Sequence, residues 1–366
     1  MSLLGNGVKC FVSMGSAKKI GLIGRLDREC SLFDGQTIKT RMMYRLLCEV
    51  YGEENIVIVE TKDYRHNVLR VAAQLACCLF SCKDIYVSLS RNGRKFFFPI
   101  LSFASRRFHT RVYHNLIGGW LARDLEECPQ QARYLNDFEV NWVESRKLVE
   151  DLRALGVNNA EFLPNFKYLE MVDLPKTRNY GPVYRFCTFS RVQELKGIGD
   201  AIDVVEELCS EGFYCHLDIF GPVDPGYKNE FDRAVSDSPN VEYKGCVPPE
   251  KSVQAIAGYD ALLFPTKWKL EGIPGTIIDA LSAGVPVIAA KWQYYNEMLE
   301  DGITGFGYEF EHNELLLGAI KRFMALGDKA NSLRSGCLMR AKDYSPDAVI
   351  DRIRTVANGN VDELKG

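Results

Sequence analysis

Short apolar runs that fit β-strands alternate with segments of helical periodicity along most of the chain. This alternation is typical of parallel α/β sheets, in which each strand is followed by a helix that packs on the sheet. The helical pattern is clear in residues 37–51, where Met42, Leu46, Leu47 and Val50 recur on one face. Since 366 residues are too many for one core of ordinary size, the pattern predicts two α/β domains in series.

The alternation lapses between Pro164 and Pro182, where prolines, asparagines and glycine cluster. This predicts an N-terminal domain over residues 1–175, a C-terminal domain over 182–340, and a final helix in 341–366 that packs back towards the first domain. We expect two Rossmann-like domains that face each other across a cleft. Strands are predicted at residues 19–24, 56–61, 84–90, 111–115, 138–143, 160–163, 184–190, 216–221, 241–245, 261–265 and 286–290, and helices at 37–51, 66–80, 145–155, 199–211, 227–236, 249–259, 275–283, 313–326 and from 345 onwards.

Net charge, cysteine spacing and the length of apolar stretches argue against several classes of protein. A net charge of −3 gives no reason to expect nucleic acid as a partner. The 12 cysteines are scattered without a disulfide framework, which favours free thiols in a reducing, cytoplasmic setting. The longest apolar stretch, residues 68–80, is too short to span a bilayer, and the N-terminus lacks the pattern of a signal peptide.

The segment between the predicted strand 261–265 and the helix 275–283 combines small residues with two acids. Small residues at a helix start leave backbone N–H groups open to an anion, which the positive end of the helix also favours. Glu271 follows the strand at its carboxyl end, where ligands of such sheets bind, and Asp279 falls about one turn into the helix. The alternative is a structural turn with solvated acids. Between the two acids, the turn is formed by Gly272, Ile273, Pro274, Gly275 and Thr276.

A second loop, after the predicted strand 184–190, carries two cations, Arg191 and Lys196. Such a pair can neutralise a diphosphate and stabilise it as a leaving group. Alone, the pair would more often be surface charge. Because both loops follow the carboxyl ends of parallel strands, together they predict a diphosphate site.

The order of these motifs resembles the retaining GT-B glycosyltransferases known as family GT4. Within residues 184–325 the chain reads Phe-Ser-Arg-x4-Lys-Gly, Asp-Ile-Phe-Gly, Lys-Gly-x-Val, Phe-Pro-Thr and then Glu-Gly-x-Pro-Gly-Thr-Ile-Ile-Asp-Ala. The resemblance implies a nucleotide-diphosphate sugar as the donor and no cofactor. It also implies chemistry without a metal, and the sequence contains no Asp-x-Asp metal motif.

The resemblance also implies roles for single residues. Arg191 and Lys196 would hold the donor diphosphate, and Glu271 would contact hydroxyls of the donor sugar. The backbone of 272–276 would receive the phosphates, and Asp279, where the family usually has Glu, would bind the ribose. As a group, Glu271, Arg191 and Lys196 are the candidate catalytic residues.

Five further residues are placed around the donor by the same resemblance. Gly221 ends the Asp-Ile-Phe-Gly motif, and the segment from Lys244 to Val247 would lie beside the base. The first loop of the N-terminal domain lacks the paired glycines usual in the family. Gly35 and Gln36 are therefore assigned to the phosphate or acceptor side.

His114 is the fourth candidate catalytic residue. It lies near the end of the predicted strand 111–115, at the expected crevice edge of the first domain. Family members place a histidine at a strand end near the donor sugar. The alternative is a structural histidine that is bonded locally.

Residues 91–111 contain six basic residues and several aromatics but no acid. Basic and aromatic side chains together suit the interface of an anionic bilayer, where a lipid-linked acceptor would sit. We therefore expect a cytoplasmic protein with peripheral contact at the inner face of the membrane. The alternative is that the phenylalanines pack in the core while the arginines stay solvated.

The sequence thus predicts a metal-independent retaining glycosyltransferase. It would move a sugar from a nucleotide-diphosphate sugar to a glycan or lipid-linked acceptor in surface polysaccharide biosynthesis. Two alternatives stay open: a sugar-nucleotide epimerase of the same two-domain shape, and a non-catalytic GT-B partner subunit.

Overall fold

The computed structural model describes residues 19–29, 32, 34–169 and 178–358. Twelve parallel strands in this part of the chain form two six-stranded sheets, one in each half. The strands are β1 Ile20–Gly24, β2 Ile56–Glu60, β3 Asp84–Ser88, β4 Arg111–Asn115, β5 Val140–Val143, β6 Ala160–Phe162, β7 Val183–Phe189, β8 Tyr214–Phe220, β9 Val241–Gly245, β10 Ala261–Phe264, β11 Val287–Ala290 and β12 Gly305–Tyr308.

Helices follow most strands and cover both faces of each sheet. They are α1 Gly35–Tyr51, α2 Val68–Ser81, α3 Arg91–Phe108, α4 Leu121–Glu127, α5 Ala132–Asn136, α6 Arg146–Ala154, α7 Ile198–Ser210, α8 Lys228–Asp237, α9 Ser252–Ile256, α10 Gly275–Ser282, α11 Tyr295–Met298, α12 Leu316–Met324, α13 Asn331–Ala341 and α14 Asp347–Ala357. No helix within the described ranges is long and apolar enough to cross a membrane.

The strand order runs β2-β1-β3-β4-β5-β6 in the first sheet and β12-β11-β10-β7-β8-β9 in the second. The predicted fold class, α/β with two doubly wound parallel sheets, is confirmed. In the second sheet the order reverses between β7 and β10. Ligands of open α/β sheets bind at such a switch point, outside the carboxyl ends of the strands. The two loops singled out by the sequence follow these two strands.

Two glycines let the strand ends of the second sheet approach each other closely. Gly197 has φ +67°, and a Cβ there would lie 1.9 Å from the carbonyl oxygen of Pro265. Gly221 has φ +131°, and its Cβ would lie 1.8 Å from the carbonyl oxygen of Ser190. Only glycine fits such contacts without moving the backbone. Gly221 therefore serves to pack the end of β8 against the loop that carries Arg191.

Each of the eleven strands expected from the sequence is present, with ends shifted by two residues at most. β12 was not predicted, because it is short and two of its four residues are glycine. α3 was also not predicted. Its apolar positions are interrupted by Pro99 and by basic residues, so the sequence pattern indicates an interfacial segment.

The final helix, α14, lies against the N-terminal half. Val349, Ile353 and Val356 are fully buried in a cluster that includes Ile20 of β1 and Met43 of α1. The two halves also meet through α11, since the Glu297 carboxylate accepts hydrogen bonds from the first backbone N–H groups of α6.

Candidate active site

The loops after β7 and β10 meet through an ion pair between Lys196 and Glu271. The side chains are 14% and 13% exposed, so the pair is largely buried but keeps some contact with solvent. The Lys196 ammonium lies 5.6 Å from the ring centre of Trp268 and 5.9 Å from that of Phe264. These rings restrict where the lysine can point, which places a cation and a carboxylate side by side at the switch point.

Arg191 stands at the start of the same loop and is exposed. Its guanidinium forms no ion pair within the part of the chain that the structure describes. The backbone next to it is fixed, because Val192 donates to the carbonyl of Pro222 at 2.9 Å and accepts from the N–H of Asp224 at 2.9 Å. A fixed main chain with an uncommitted guanidinium suits a residue that receives an anionic ligand.

The N-terminus of α10 faces the same crevice. Pro274 is its N-cap, and no side chain among the described residues caps the helix start. The hydroxyl of Thr276 is buried, with no hydrogen-bond partner in the described structure. Uncapped N–H groups and an unpartnered hydroxyl at a helix N-terminus form a setting that favours an anion. The predicted phosphate role of Gly272 to Thr276 is compatible with this geometry.

The N-terminal domain contributes a carboxylate that the sequence did not single out. Glu144 follows β5, and its Oε2 accepts from the backbone N–H of Ile273 at 3.2 Å. Its other oxygen pairs with Lys39 of α1, whose ammonium also donates to the carbonyl of Leu116. Lys39 is 6% exposed, so the pair is buried beneath the donor loop. Burial lowers the pKa of Lys39, and Glu144 opposes that shift.

Asp279 is paired with a lysine of the N-terminal side. It is buried in α10, and both carboxylate oxygens accept from the Lys167 ammonium, each at 2.7 Å. Burial raises the pKa of Asp279, and Lys167 counteracts the rise. The ribose assignment stays a prediction, and it requires a carboxylate that is bonded here to a lysine that follows β6. The sequence marked Pro164 and Asn165 only as part of a domain boundary, so Lys167 gave no signal.

Lys244, predicted to lie beside the base, belongs to a cluster of charged side chains on β8 and β9. Its ammonium pairs with Glu242 and lies 3.6 Å from Asp218, back along the strands rather than beyond their ends. Asp218, Glu242 and His216 form the one group with metal-ligand spacing that the described residues contain. Because Lys244 already contacts both carboxylates, its positive charge opposes a cation there. Val247, beyond the strand, is partly buried against the core.

At the start of α1, two backbone N–H groups are already bonded and cannot donate to a phosphate. The Asp34 carboxylate accepts from the N–H groups of Gln36 and Thr37, at 3.1 and 3.3 Å, and pairs with Arg25. The phosphate assignment of Gly35 and Gln36 is therefore wrong for the backbone of Gln36. An aspartate at the N-cap satisfies the N–H groups that a phosphate would otherwise use.

His114 does not reach the crevice. It is fully buried, with its ring packed edge-on against Phe98 at 4.9 Å and near Phe138. Its Nδ1 lies 3.0 Å from Oδ1 of Asn141, whose amide nitrogen donates to two other oxygens. The alternative of a locally bonded histidine is therefore the correct one. The sequence located the strand end but not which face of the sheet the ring would take.

The hydrogen bonds of Asn141 also fix the tautomer of His114. Because the Asn141 amide nitrogen is used elsewhere, Oδ1 faces the ring and Nδ1 carries the proton. The other nitrogen, Nε2, is buried without a partner among the described residues. Burial and the nearby charge of Arg94 lower the pKa of His114 to about 3. The ring is therefore neutral throughout the physiological range.

We expect this histidine to make the protein acid-sensitive. In the unfolded chain it titrates near pH ~6.5, so between there and about pH 3 the unfolded state binds more protons and stability falls as pH falls. From pH 7.5 to 5.5, wild type should lose about 1.4 kcal/mol more free energy of unfolding than His114→Gln. Urea denaturation at both pH values measures this. Equal losses in the two proteins would contradict the assignment of a neutral, buried ring.

Residues 91–111 form α3 and the start of β4. Some of their aromatic and basic side chains are buried in the core, and others are exposed. Phe97 and Phe98 are buried, whereas the other three phenylalanines of α3 are 46–58% exposed. Arg94 is buried against Asp124, with Nη2 2.6 Å from the carboxylate. An apolar groove of about 540 Å³ lies between α2 and α3. The exposed phenylalanines are Phe96, Phe103 and Phe108, and the exposed basic side chains of the helix are Arg91, Lys95, Arg106 and Arg107.

Comparison with known sequences finds similarity in the second half of the chain. Residues 184–325 match the family described as "Glycosyl transferases group 1". The amylovoran biosynthesis glycosyltransferase AmsK of Erwinia amylovora is 26% identical over 129 residues, which are 33% of this chain and 31% of that protein. The match thus spans about a third of the length of this curated relative.

Solved structures resemble nearly the whole chain. HepE from Anabaena, in complex with UDP, has a TM-score of 0.70 at 14% identity and covers 93% of this chain and 100% of its own. Sucrose-phosphate synthase from Thermosynechococcus elongatus has a TM-score of 0.73 at 13% identity, with 93% and 98% covered. At these identities the likeness shows the fold, which is GT-B. Residues 184–325 therefore resemble the group 1 glycosyl transferases, and they lie within a chain that has the GT-B fold.

Proposed function

We propose that this protein is a retaining glycosyltransferase that moves a sugar from a nucleotide-diphosphate sugar to a glycan or lipid-linked acceptor. The observation that carries the proposal is the pairing of Lys196 with Glu271 at the switch point, beside the uncapped start of α10. A cation there suits the diphosphate, and a carboxylate suits sugar hydroxyls. Because Arg191, Lys196 and Glu271 are all present in one crevice, turnover is favoured over a non-catalytic role.

In the proposed reaction, the bond between the sugar C1 and the diphosphate oxygen breaks while a bond from C1 to the acceptor oxygen forms. Negative charge develops on the leaving diphosphate, where Arg191, Lys196 and the N-terminus of α10 stabilise it. The departing phosphate accepts the acceptor's proton, so no strong base from the protein is needed. Glu271 orients the sugar by accepting hydrogen bonds from its hydroxyls.

We propose that the transfer proceeds without a metal. The two cations of the β7 loop supply the positive charge that a divalent ion provides in other phosphate sites. Transfer measured in EDTA and in excess Mg²⁺ tests this directly. Equal rates are expected, and loss of transfer in EDTA would refute metal independence.

Relatives suggest the first donor and acceptor to try. The solved HepE structures contain UDP and UDP-glucose, and AmsK is named for amylovoran biosynthesis. We therefore propose a uridine diphosphate sugar as the first candidate donor and a surface polysaccharide intermediate as the acceptor.

The first experiment is a thermal-shift screen with UDP, GDP, ADP, CMP and dTDP, all in EDTA. A ligand at 100 times its dissociation constant adds about 2.7 kcal/mol to the stability of the folded state, which raises the melting temperature by a few degrees. We expect one diphosphate to give this shift and thereby identify the base. No shift with any of them would contradict the proposed donor site.

We also propose a cytoplasmic location with peripheral membrane contact through residues 91–111. Phe103 and Phe108 of α3 are exposed beside Arg106 and Arg107, which suits the surface of an anionic bilayer. We expect flotation with vesicles containing phosphatidylglycerol, reduced by high salt and by Phe103→Ser/Phe108→Ser. Flotation that ignores both salt and these substitutions, or its absence in wild type, would refute the contact.

A further inference from the structure

Lys167 reaches the candidate donor site from the N-terminal side. It follows β6, and its backbone N–H is anchored by a hydrogen bond to the carbonyl of Tyr344 at 3.1 Å. Two residues earlier, the side chain of Asn165 donates to the carbonyl of Ile273 in the donor loop at 3.0 Å. The residues directly after β6 are therefore docked on the loop that opens α10, and they hold Lys167 in place.

The ammonium of Lys167 lies at the mouth of α10. A Cβ placed on Gly275 would be 3.1 Å from Cε and 3.3 Å from Nζ of the lysine. A cation is disfavoured at a helix N-terminus, where the backbone dipole already presents positive charge. Here both carboxylate oxygens of Asp279 bond to the ammonium, and their negative charge offsets this unfavourable interaction. The lysine thus lies at a helix start that favours an anion and whose Thr276 hydroxyl has no partner among the described residues.

We propose that Lys167 is a third cation of the diphosphate site, held by Asp279 until the donor phosphates reach the start of α10. This inference rests on the proposed function, because it assumes that a diphosphate binds there. The diphosphate would then be contacted from both sides of the crevice, by Arg191 and Lys196 from one loop and by Lys167 from the segment between the domains.

A purely structural role for Lys167 makes a different prediction. If the lysine only neutralises Asp279, removing it harms the site by leaving a buried, unpaired carboxylate next to the phosphates. Once Asp279 is itself neutral, the lysine would no longer matter. If Lys167 binds phosphate, it matters in that background as well. Comparing Asp279→Asn with Lys167→Met/Asp279→Asn therefore isolates the lysine, because any other effect of residue 279 is common to both proteins.

The measurement is the dissociation constant for UDP, and for inorganic pyrophosphate as a probe without a base, by calorimetry. We expect Lys167→Met/Asp279→Asn to bind both probes about 10- to 100-fold more weakly than Asp279→Asn, the effect of losing one charge-assisted contact. Lys167→Arg/Asp279→Asn should recover much of the affinity. Melting temperatures of all variants establish that each one is folded.

Two other outcomes are decisive. Equal affinity in Asp279→Asn and Lys167→Met/Asp279→Asn, with diphosphate binding intact, would overturn the role of Lys167 and leave the proposed function standing. If wild type and Asp279→Asn both bind neither probe, the proposed function fails and this inference fails with it.

Discussion

Replacing Lys196 with methionine will lower the rate of sugar transfer by about 10²–10³-fold and leave the fold intact, since one lost contact to a developing charge typically has this effect. Methionine is unbranched and only one atom shorter than lysine, so it can still lie near Phe264 and Trp268. Only the charge is removed. The readout is kcat for release of nucleoside diphosphate, measured with the donor identified by the thermal-shift screen.

Glu271→Gln should reduce transfer to a similar extent for a different reason. It keeps the shape of the side chain but removes the negative charge that accepts hydrogen bonds from the sugar and that pairs with Lys196. Affinity for the nucleoside diphosphate alone should change little, because Glu271 is assigned to the sugar. Lys196→Met, in contrast, should weaken diphosphate binding as well.

A matched control is available on the far side of the second domain. Lys321 of α12 pairs with Glu211, and both side chains are about one-third exposed. Lys321→Met removes the same charge without touching the crevice, so transfer should stay at the wild-type rate. Full activity in both Lys196→Met and Glu271→Gln would contradict the site assignment. A loss of activity in Lys321→Met as well would indicate a general charge effect.

The sequence indicated that the two C-terminal loops meet because their signals are local. Arg191 and Lys196 follow one strand, and Glu271 follows the other, so apolar runs followed by helix starts were enough to locate these loops. Parallel topology then brings the carboxyl ends of neighbouring strands together. The ion pair between Lys196 and Glu271, 75 positions apart, is the structural result of these local patterns.

The N-terminal side of the crevice could not be predicted in this way. Glu144 bonds to Ile273 across 129 positions, and Lys167 bonds to Asp279 across 112. Nothing near Glu144 or Lys167 in the sequence resembles a binding motif, and their roles depend on how the two domains dock. The prediction for His114 has a related weakness, because a strand of five residues does not reveal which side chains project towards its carboxyl end and which pack beneath α3.

The buried pair between Glu144 and Lys39 should be the most costly to break. Glu144→Ala will lower the free energy of unfolding by about 3–5 kcal/mol, because it leaves the Lys39 ammonium buried without its carboxylate. The same change removes the acceptor for the Ile273 N–H, so the donor loop loses a contact to the N-terminal domain. Urea denaturation of wild type and variant at pH 7.5 measures the loss.

Replacing both partners should cost far less than replacing one. Lys39→Met/Glu144→Gln leaves no buried charge and keeps an amide oxygen near Ile273, so most of the lost stability should return. Lys147→Met serves as a control, since Lys147 pairs with Asp151 on the exposed side of α6, where an ion pair contributes little to stability. If Glu144→Ala lowers the free energy of unfolding no more than Lys147→Met does, the buried pair does not stabilise the contact between the donor loop and the N-terminal domain. If only Glu144→Ala is severe and the double variant recovers, the cost lies in the stranded charge of Lys39, and the pair fixes the donor loop against the N-terminal domain.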